Sequence, residues 1–284
     1  MGRLLIVVAV AYYTLKEMTR RKLLYFIVGG GAVLVLALGL LVTLIRANAP
    51  AGAVPDQDFS GFVLVQLSGV VSLFAWVASI AIAVTLINHD LESGSVVSIF
   101  SKPVSRLSYA LGKVLAAAAM LLAVVLVLGI GTQVIVLTNG GGHEWPLLKT
   151  FLLIAANQLT QMLVILVLSV VMNNIVAAII GIVIIQVGKF VAAGHSILHT
   201  FVDQGATGSS IRAISTVFDG VFWIVPRELQ SDLVRDVYLN AQATRDAVGL
   251  GTIYVSGPLD VAYWLAWVAL LFFLLIWVLR RREV

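Results

Sequence analysis

The sequence predicts an all-α integral membrane protein with six transmembrane helices. Of its 284 residues, 61% are hydrophobic and 11% are charged, which is more apolar surface than a soluble domain can bury. The mean hydropathy of +1.06 agrees with lipid as the main solvent. Six apolar runs are long enough to cross roughly 30 Å of hydrocarbon. They are residues 23–45, 62–87, 114–137, 147–172, 175–193 and 259–279. Only Asn173-Asn174 separates the fourth run from the fifth, which predicts a tight hairpin between these two spans.

The N-terminal segment comes before the first span and ends in a group of bases. Its apolar run, with Ala9 and Ala11 at an A-x-A spacing, imitates a signal peptide. Cleavage there would leave the bases of residues 16–22 outside the cell, against the tendency of Lys and Arg to stay in the cytoplasm. We therefore expect a helix over residues 4–19 that lies along the inner membrane interface.

The distribution of Lys and Arg predicts the orientation in the cell membrane. Bases cluster in residues 16–22, 102–113 and 280–282, all on one side if the chain crosses six times. Both termini are therefore predicted to be cytoplasmic. The net charge of +4 comes largely from these clusters, so membrane lipid is the expected neighbour and no nucleic-acid partner is expected. The chain has no cysteine, which excludes disulfides and thiolate chemistry.

Residues 194–258 form a predicted extracytoplasmic segment between the fifth and sixth spans. A first amphipathic helix is predicted from Ser209-Ser210 through Phe222, and a second is predicted to start at Pro226 and continue through Tyr238. Neither is apolar enough all round to span a membrane. The segment can be interpreted as a cap on the bundle or as a lid that binds a partner or substrate.

The loop between the second and third spans is polar and much longer than a turn requires. It reads NHDLESGSVVSIFSKPVSRLSYALGK over residues 88–113. Asp90 and Glu92 suit the positive end of a short helix, Pro103 ends it, and Ser105 can cap the helix that follows. The predicted helix spans residues 91–101, and its apolar residues are Val96, Val97, Ile99 and Phe100.

This loop resembles the cytoplasmic signature of ABC transporter type 2 permeases. The matching residues are Glu92-x-Gly94-Ser95-x-x-x-Ile99-x-Ser101-x-Pro103-Val104-Ser105-Arg106, followed by Tyr109 and Gly112-Lys113. Ser95 stands where the family usually has threonine. The order of elements also resembles that family: an interfacial helix, six spans, a larger outer segment before the last span, and an Arg-rich tail.

The resemblance implies that residues 1–284 are one permease domain, an exporter-class subunit that forms the substrate pathway as a dimer. The second permease subunit would be the same or a related chain, and separate cytoplasmic ABC ATPase subunits would grip the helix at 91–101, the coupling helix. The ATPase-coupling residues implied are Asp90, Glu92, Gly94, Val96, Ile99, Phe100, Pro103, Arg106 and Lys113.

The chain is not expected to be an enzyme. No G-x-x-x-x-G-K-[ST] motif occurs, and Gly112-Lys113 lacks both the upstream glycine and the following hydroxyl. ATP and Mg are therefore expected on the partner ATPase, and no cofactor is expected on this chain. Export is favoured over import because the resembling family mostly exports.

Polar residues in the spans are candidates for the substrate pathway. Asn157 and Gln161 share a helix face at i, i+4, while Gln66 and Ser72 lie in the second span. Polar groups inside a bilayer need partners. Hydrogen bonding between helices and the lining of an export route both remain open for them.

Small residues in the fifth span are candidates for a dimer interface. Ala177 and Gly181 repeat a small-x-x-x-small pattern, and Gly188 continues it with Ala192. Such stripes allow backbones to approach closely. The resembling family's subunits meet along the first and fifth spans, although packing within one subunit uses the same chemistry.

No metal site is assigned from the sequence, but one candidate set exists. His195, His199 and Asp203 are spaced i, i+4, i+8 and would share one face if a helix forms there. Imidazole pairs at that spacing can bind zinc or copper. Ordinary interfacial histidines explain the same pattern.

Two alternatives belong to other classes of membrane protein. A secondary transporter would bury a coupling carboxylate, and no Asp or Glu lies in the core of any predicted span. The second alternative is a membrane scaffold without a motor, or a component of an assembly that delivers metal or sulfur. Such a scaffold would recruit its partners through the outer segment.

Overall fold

A computed structural model of the chain describes residues 2–48, 56–87, 104–138, 145–203, 209–230 and 256–281. These residues form α-helices, with no strand among them, which confirms the all-α fold class. The helices are α1 (Gly2–Thr19), α2 (Lys22–Asn48), α3 (Asp56–Leu86), α4 (Arg106–Thr138), α5 (Trp145–Val171), α6 (Asn174–Asp203), α7 (Ser209–Phe222) and α8 (Pro258–Arg281).

Six helices in the described part of the chain are long and apolar enough to cross a membrane: α2, α3, α4, α5, α6 and α8. Helices α4 and α6 extend furthest beyond the predicted apolar runs. Helix α4 begins at Arg106, inside the polar loop, and α6 continues to Asp203. Polar residues at both places therefore lie on the same continuous helices as the spans, which fixes their direction relative to the bundle.

The core of the bundle is built around α5. Residues 162–166 of this helix are all buried, so neighbours enclose it on every side. Helices α3 and α4 pack beside α5, whereas α8 lies at the edge, with only 11% of its apolar window buried. The exposed apolar faces of the outer helices are those expected of surfaces in contact with lipid.

A tight turn joins α5 and α6, as the adjacent asparagines predict. Helix α5 ends at Val171 and α6 begins at Asn174. The Oδ1 atom of Asn173 accepts a hydrogen bond from the Ile175 backbone N–H at 2.9 Å, which satisfies one of the free donors in the first turn of α6. The predicted hairpin is confirmed.

The small residues of α6 pack within the chain. Ala177 is fully buried. A Cβ atom at Gly181 would lie 2.5 Å from Cγ1 of Ile165, and one at Gly188 would overlap the carbonyl oxygen of Pro226. The subunit's own contacts therefore explain these three positions, and the dimer interface proposed for them stays a prediction.

The segment after α7 differs from the sequence prediction. Helix α7 begins at Ser209 as expected, but residues 226–230 are not helical, so a helix starting at Pro226 is wrong. The backbone there is held from outside, because Leu229 bonds to Asn157 through both its N–H and its carbonyl. Residues 231–238, the remainder of that predicted helix, lie outside the described residues.

Candidate functional site

Helix α4 begins with a side-chain cap at the end of the polar loop. The Ser105 Oγ atom accepts a hydrogen bond from the Ser108 backbone N–H at 3.1 Å and lies 2.8 Å from the Ser108 hydroxyl. This is the bond that a helix N-cap makes, and it confirms the cap predicted for Ser105. The chain leaving residues 88–103 therefore enters α4 at a defined point.

Arg106, the first residue of α4, joins this helix to the end of the last span. Its Nη1 atom donates to the carbonyl oxygens of Leu279 at 2.7 Å and Arg280 at 3.0 Å. The last carbonyls of a helix have no partner within the helix and carry partial negative charge. A guanidinium there forms charge-assisted hydrogen bonds, so the start of α4 and the end of α8 are held together.

Gly112 allows α1 to lie directly against α4. A Cβ atom at Gly112 would lie 2.6 Å from Cβ of Val10 and 2.9 Å from the carbonyl oxygen of Val7. One of these neighbours is backbone, which cannot move aside without displacing α1. The glycine in the Gly112-Lys113 pair thus has a structural reason: it sets the distance between two helices.

Lys113 strengthens the same contact electrostatically. Its side chain is 6% exposed, and its Nζ atom lies 4.0 Å from Oε2 of Glu17 on α1. The other oxygen of Glu17 lies 2.6 Å from the Arg21 guanidinium. Glu17 therefore sits between Lys113 of α4 and Arg21 of the turn that follows α1, an arrangement that ties α1 to α4.

We call this region the basic end of the bundle: residues 16–24, 104–113 and 276–281. Here α4 is fixed on one side to α8 through Arg106 and on the other to α1 through Gly112 and Lys113. Arg280 and Arg281 add charge in the last turn of α8. The other implied coupling residues lie outside the described residues: Asp90, Glu92, Gly94, Val96, Ile99, Phe100 and Pro103.

A comparison with protein families identifies the family of the chain. A family model described as "ABC-2 family transporter protein" matches residues 15–190, which is more than half of the chain. The chain belongs to the ABC-2 transporter family. The match includes the bases before α2, the polar loop, the first four spans and most of the fifth, so the whole basic end except the α8 tail falls within it. No curated protein matches the sequence.

Membership of the ABC-2 family makes this chain a membrane permease subunit of an ABC transporter. Proteins of this family work with ATP-binding subunits, which carry the ATPase activity. The six apolar helices agree with a multi-pass membrane protein.

The candidate pathway residues differ in burial and in hydrogen bonding. Asn157 exchanges two hydrogen bonds with the Leu229 backbone, at 2.9 and 2.8 Å. Gln161 is 1% exposed, and its side-chain amide has no hydrogen-bond partner among the described residues. Gln66 is exposed and Ser72 is half-buried on α3. The four residues do not form one described cavity, and their role in transport stays a prediction.

A buried ion pair at the other end of the bundle was missed by the sequence analysis. Arg227 Nη2 lies 2.5 Å from Asp260 Oδ1, with the two side chains 3% and 6% exposed. We call this region, residues 194–203, 209–230 and 256–264, the outer end, after the extracytoplasmic position predicted for residues 194–258. The sequence signal was Arg227 in the mostly apolar stretch WIVPREL, but nothing in the sequence indicates that its partner lies in the first turn of α8.

Aromatic rings surround the Arg227 guanidinium. The ring centroids of Phe222, Trp223 and Tyr263 lie 3.9, 4.4 and 4.5 Å from its central carbon. The Tyr263 hydroxyl also donates to the carbonyls of Trp223 and Val225 at 3.0 Å. These contacts hold the non-helical segment after α7 against the start of α8.

The histidine pair lies on one helix, as its spacing predicts, but its acidic neighbour is on another. His195 and His199 both belong to α6. Their Nε2 atoms lie 3.0 and 2.8 Å from Oδ1 of Asp219, on α7. The side chain of Asp203, the predicted third member, lies outside the described residues. Lys189, one turn and a half earlier on α6, pairs with Glu228 at 3.0 Å.

Proposed function

We propose that the chain is the membrane subunit of an ATP-driven exporter and works as a dimer. A helix at residues 91–101 would couple it to separate cytoplasmic ATPase subunits. The family match supports the permease role. The observation that carries the coupling proposal is the double attachment of α4 at the basic end, to α8 by Arg106 and to α1 by Gly112 and Lys113.

The attachment of α4 to α1 and α8 explains how a displacement of the loop at residues 88–103 would be transmitted to the bundle. The proposed coupling helix enters α4 through a capped start at Ser105, so a displacement of the loop acts directly on α4. Because Arg106 bonds two carbonyls of α8, that helix end would follow. Packed helices transmit such shifts as rigid bodies rather than deforming.

In the proposed cycle, ATP binding draws the two ATPase subunits together. Each carries its coupling helix with it, and α3 and α4 move because they flank that helix in the chain. The pathway between the two permease subunits then opens to the outside. The energy comes from ATP, bound with Mg by the partner ATPase. This chain supplies the coupling helix and the residues that line the pathway.

The surface of α1 supports placing the basic end at the cytoplasmic interface. Its residues Leu4, Leu5, Val8 and Tyr13 are each more than half exposed, while Thr14 and Met18 are buried against the bundle. An exposed apolar face beside the cluster of Lys and Arg is typical of a helix lying at the membrane surface. The positive-inside tendency then puts the proposed coupling helix in the cytoplasm.

The proposal is tested by association with the ATPase. The permease is co-expressed with its ATP-binding partner, purified in mild detergent, and assayed for bound ATPase by native mass spectrometry. Glu92→Lys and Gly94→Trp are expected to reduce the bound ATPase at least tenfold. Glu144→Lys, the same change of charge in a loop predicted to face outward, is the matched control and should bind normally. Unchanged association in both loop variants would remove the coupling role.

Orientation is tested by cysteine labelling, which has no background because the chain lacks cysteine. In intact cells, a membrane-impermeant maleimide should label Ser210→Cys, at the exposed start of α7, and should not label Ser98→Cys until the membrane is permeabilised. External labelling of Ser98→Cys would contradict the proposal, since a cytoplasmic ATPase could not then bind the helix at residues 91–101. It would leave the scaffold alternative standing.

A further inference from the structure

We propose that His195, His199 and Asp219 form a binding site for a divalent transition-metal ion, with Zn²⁺ as the probe that fits best. The site lies at the outer end, far along the chain from the basic end. The inference does not depend on the coupling proposal, because it rests on the geometry of these three side chains alone.

The donor atoms are already close to a coordination geometry. One donor atom from each residue lies within 4.8 Å of the other two. Asp219 Oδ1 lies 3.0 Å from Nε2 of His195 and 2.8 Å from Nε2 of His199. In a tetrahedral zinc site, bonds of about 2.0–2.1 Å separate neighbouring donors by about 3.4 Å. An outward shift of about 0.5 Å, within the range of a small side-chain rotation, makes room for the ion.

Two helices build the site, and a glycine lets them meet. His195 and His199 are one turn apart on α6 and so project from the same face. Asp219 comes from α7. A Cβ atom at Gly194 would overlap the ring of Phe218, so the absence of a side chain there permits α7 to approach the histidines.

The ring of His195 is held in place before any ion binds. It stacks on Phe222 with centroids 4.0 Å apart and planes 11° apart. Phe222 is itself buried and carries the Arg227 guanidinium on its ring at 3.9 Å. A ligand whose orientation is fixed by packing loses little conformational entropy on binding metal.

The chemistry of the donors favours zinc-like ions. Two imidazoles and one carboxylate are the protein ligands of open zinc sites, in which the fourth position is left for water or a substrate. The side chains of His199 and Asp219 are 44% and 42% exposed, so an ion and a fourth ligand can reach them from solvent. Thiolate donors, which select softer ions, are absent because the chain has no cysteine.

The charges around the site are compatible with a cation. Arg227 is a fixed positive charge beside the site, but it is paired with Asp260 at 2.5 Å and stacks on the Phe222 ring, which also stacks on His195. Without metal, each neutral imidazole can donate its Nε2–H to the Asp219 carboxylate. With both Nε2 atoms on an ion, each ring carries its one proton on Nδ1 instead, and because a doubly protonated imidazole cannot bind metal, binding should weaken as the pH falls.

An ion here would act on the arrangement of the outer end. It would join α6 to α7, whose last residues lead into the segment held by Arg227 and Asn157. Occupancy would thus fix the outer segment against the bundle.

The test is a zinc titration of the purified chain. The protein is prepared without a polyhistidine tag, stripped with a chelator, and titrated in competition with a chromogenic zinc indicator. One ion per chain is expected. Because loss of a supporting group outside the ligand shell costs about 10–100-fold in metal affinity, loss of a ligand should cost at least about 100-fold. His199→Gln and Asp219→Asn are therefore expected to abolish stoichiometric binding.

Matched controls use the same residue types elsewhere in the chain. Asp203→Asn and His143→Gln should bind zinc like the unmodified protein. Asp219→His keeps three ligands and should retain binding, which separates loss of a ligand from misfolding. Zinc should also raise the melting temperature of the unmodified protein and not that of Asp219→Asn. The proposal is overturned if the unmodified chain binds no stoichiometric zinc, or if Asp203→Asn abolishes binding while Asp219→Asn keeps it.

Discussion

Removing the carboxylate of Asp260 should destabilise the protein strongly, because it leaves Arg227 as an unpaired buried charge. Both side chains are nearly inaccessible, at 3% and 6% exposure. Asp260 also accepts the Gly257 backbone N–H at 2.8 Å through its second oxygen, which caps α8. Removing one partner of a buried ion pair costs about 3–5 kcal/mol. We expect a loss of that size for Asp260→Leu.

The double variant separates pairing from packing. Arg227→Met should also cost about 3–5 kcal/mol if Asp260 is left alone, so independent effects would sum to about 6–10 kcal/mol. Replacing both charges together with apolar side chains is often neutral for a buried pair. The lost contacts with three aromatic rings add a cost of about 2 kcal/mol. Arg227→Met with Asp260→Leu should therefore lose no more than about 3 kcal/mol.

The measurement is reversible unfolding in mixed detergent micelles, followed by tryptophan fluorescence, which Trp223 beside Arg227 reports directly. Glu228→Gln is the matched control. It breaks the Lys189–Glu228 pair, whose side chains are 39% and 30% exposed, and should cost less than about 1 kcal/mol. If Asp260→Leu costs no more than this control, or if the two charge removals add, the reasoning about the buried pair is refuted.

Two further substitutions test the contacts that fix the helices. Gly112→Leu should lower the melting temperature and release α1 from α4, because its Cβ would meet the Val7 backbone. The control is Gly69→Leu, which should leave the melting temperature unchanged because nothing lies within 4 Å of a Cβ atom there. Equal effects of the two substitutions would argue against the close approach of α1 and α4. Asn157→Leu should cost roughly 2 kcal/mol or more, since it leaves the N–H and carbonyl of the buried Leu229 without partners. Proteolysis near that segment should then accelerate, whereas Asn48→Leu, on an exposed helix end, should have little effect.

The elements that the sequence predicted correctly are those set by neighbouring residues. Six apolar runs became six membrane-length helices because hydropathy over some twenty residues determines a span. The cap at Ser105 and the turn at Asn173 also followed from local rules, since in each case the donor lies two or three residues from its acceptor. The family, too, was indicated by a local signature in residues 92–113.

The errors and omissions lie where contacts join distant segments. Pro226 fits a helix start, yet its segment is not helical, because Asn157 takes the backbone groups of Leu229 that a helix would use. The partner of Arg227 lies 33 residues away, which no helical spacing can indicate.

What the sequence determined by itself is the membrane class, the helices and the permease family, because burial in lipid demands apolar length and a signature is contiguous. Only the tertiary structure decided which acid meets His195 and His199. A spacing of i, i+8 pointed to Asp203, but the contact is with Asp219 from α7, brought close where Gly194 has no side chain. Helical spacing orders residues along one helix, whereas the approach of a second helix depends on how side chains pack between them.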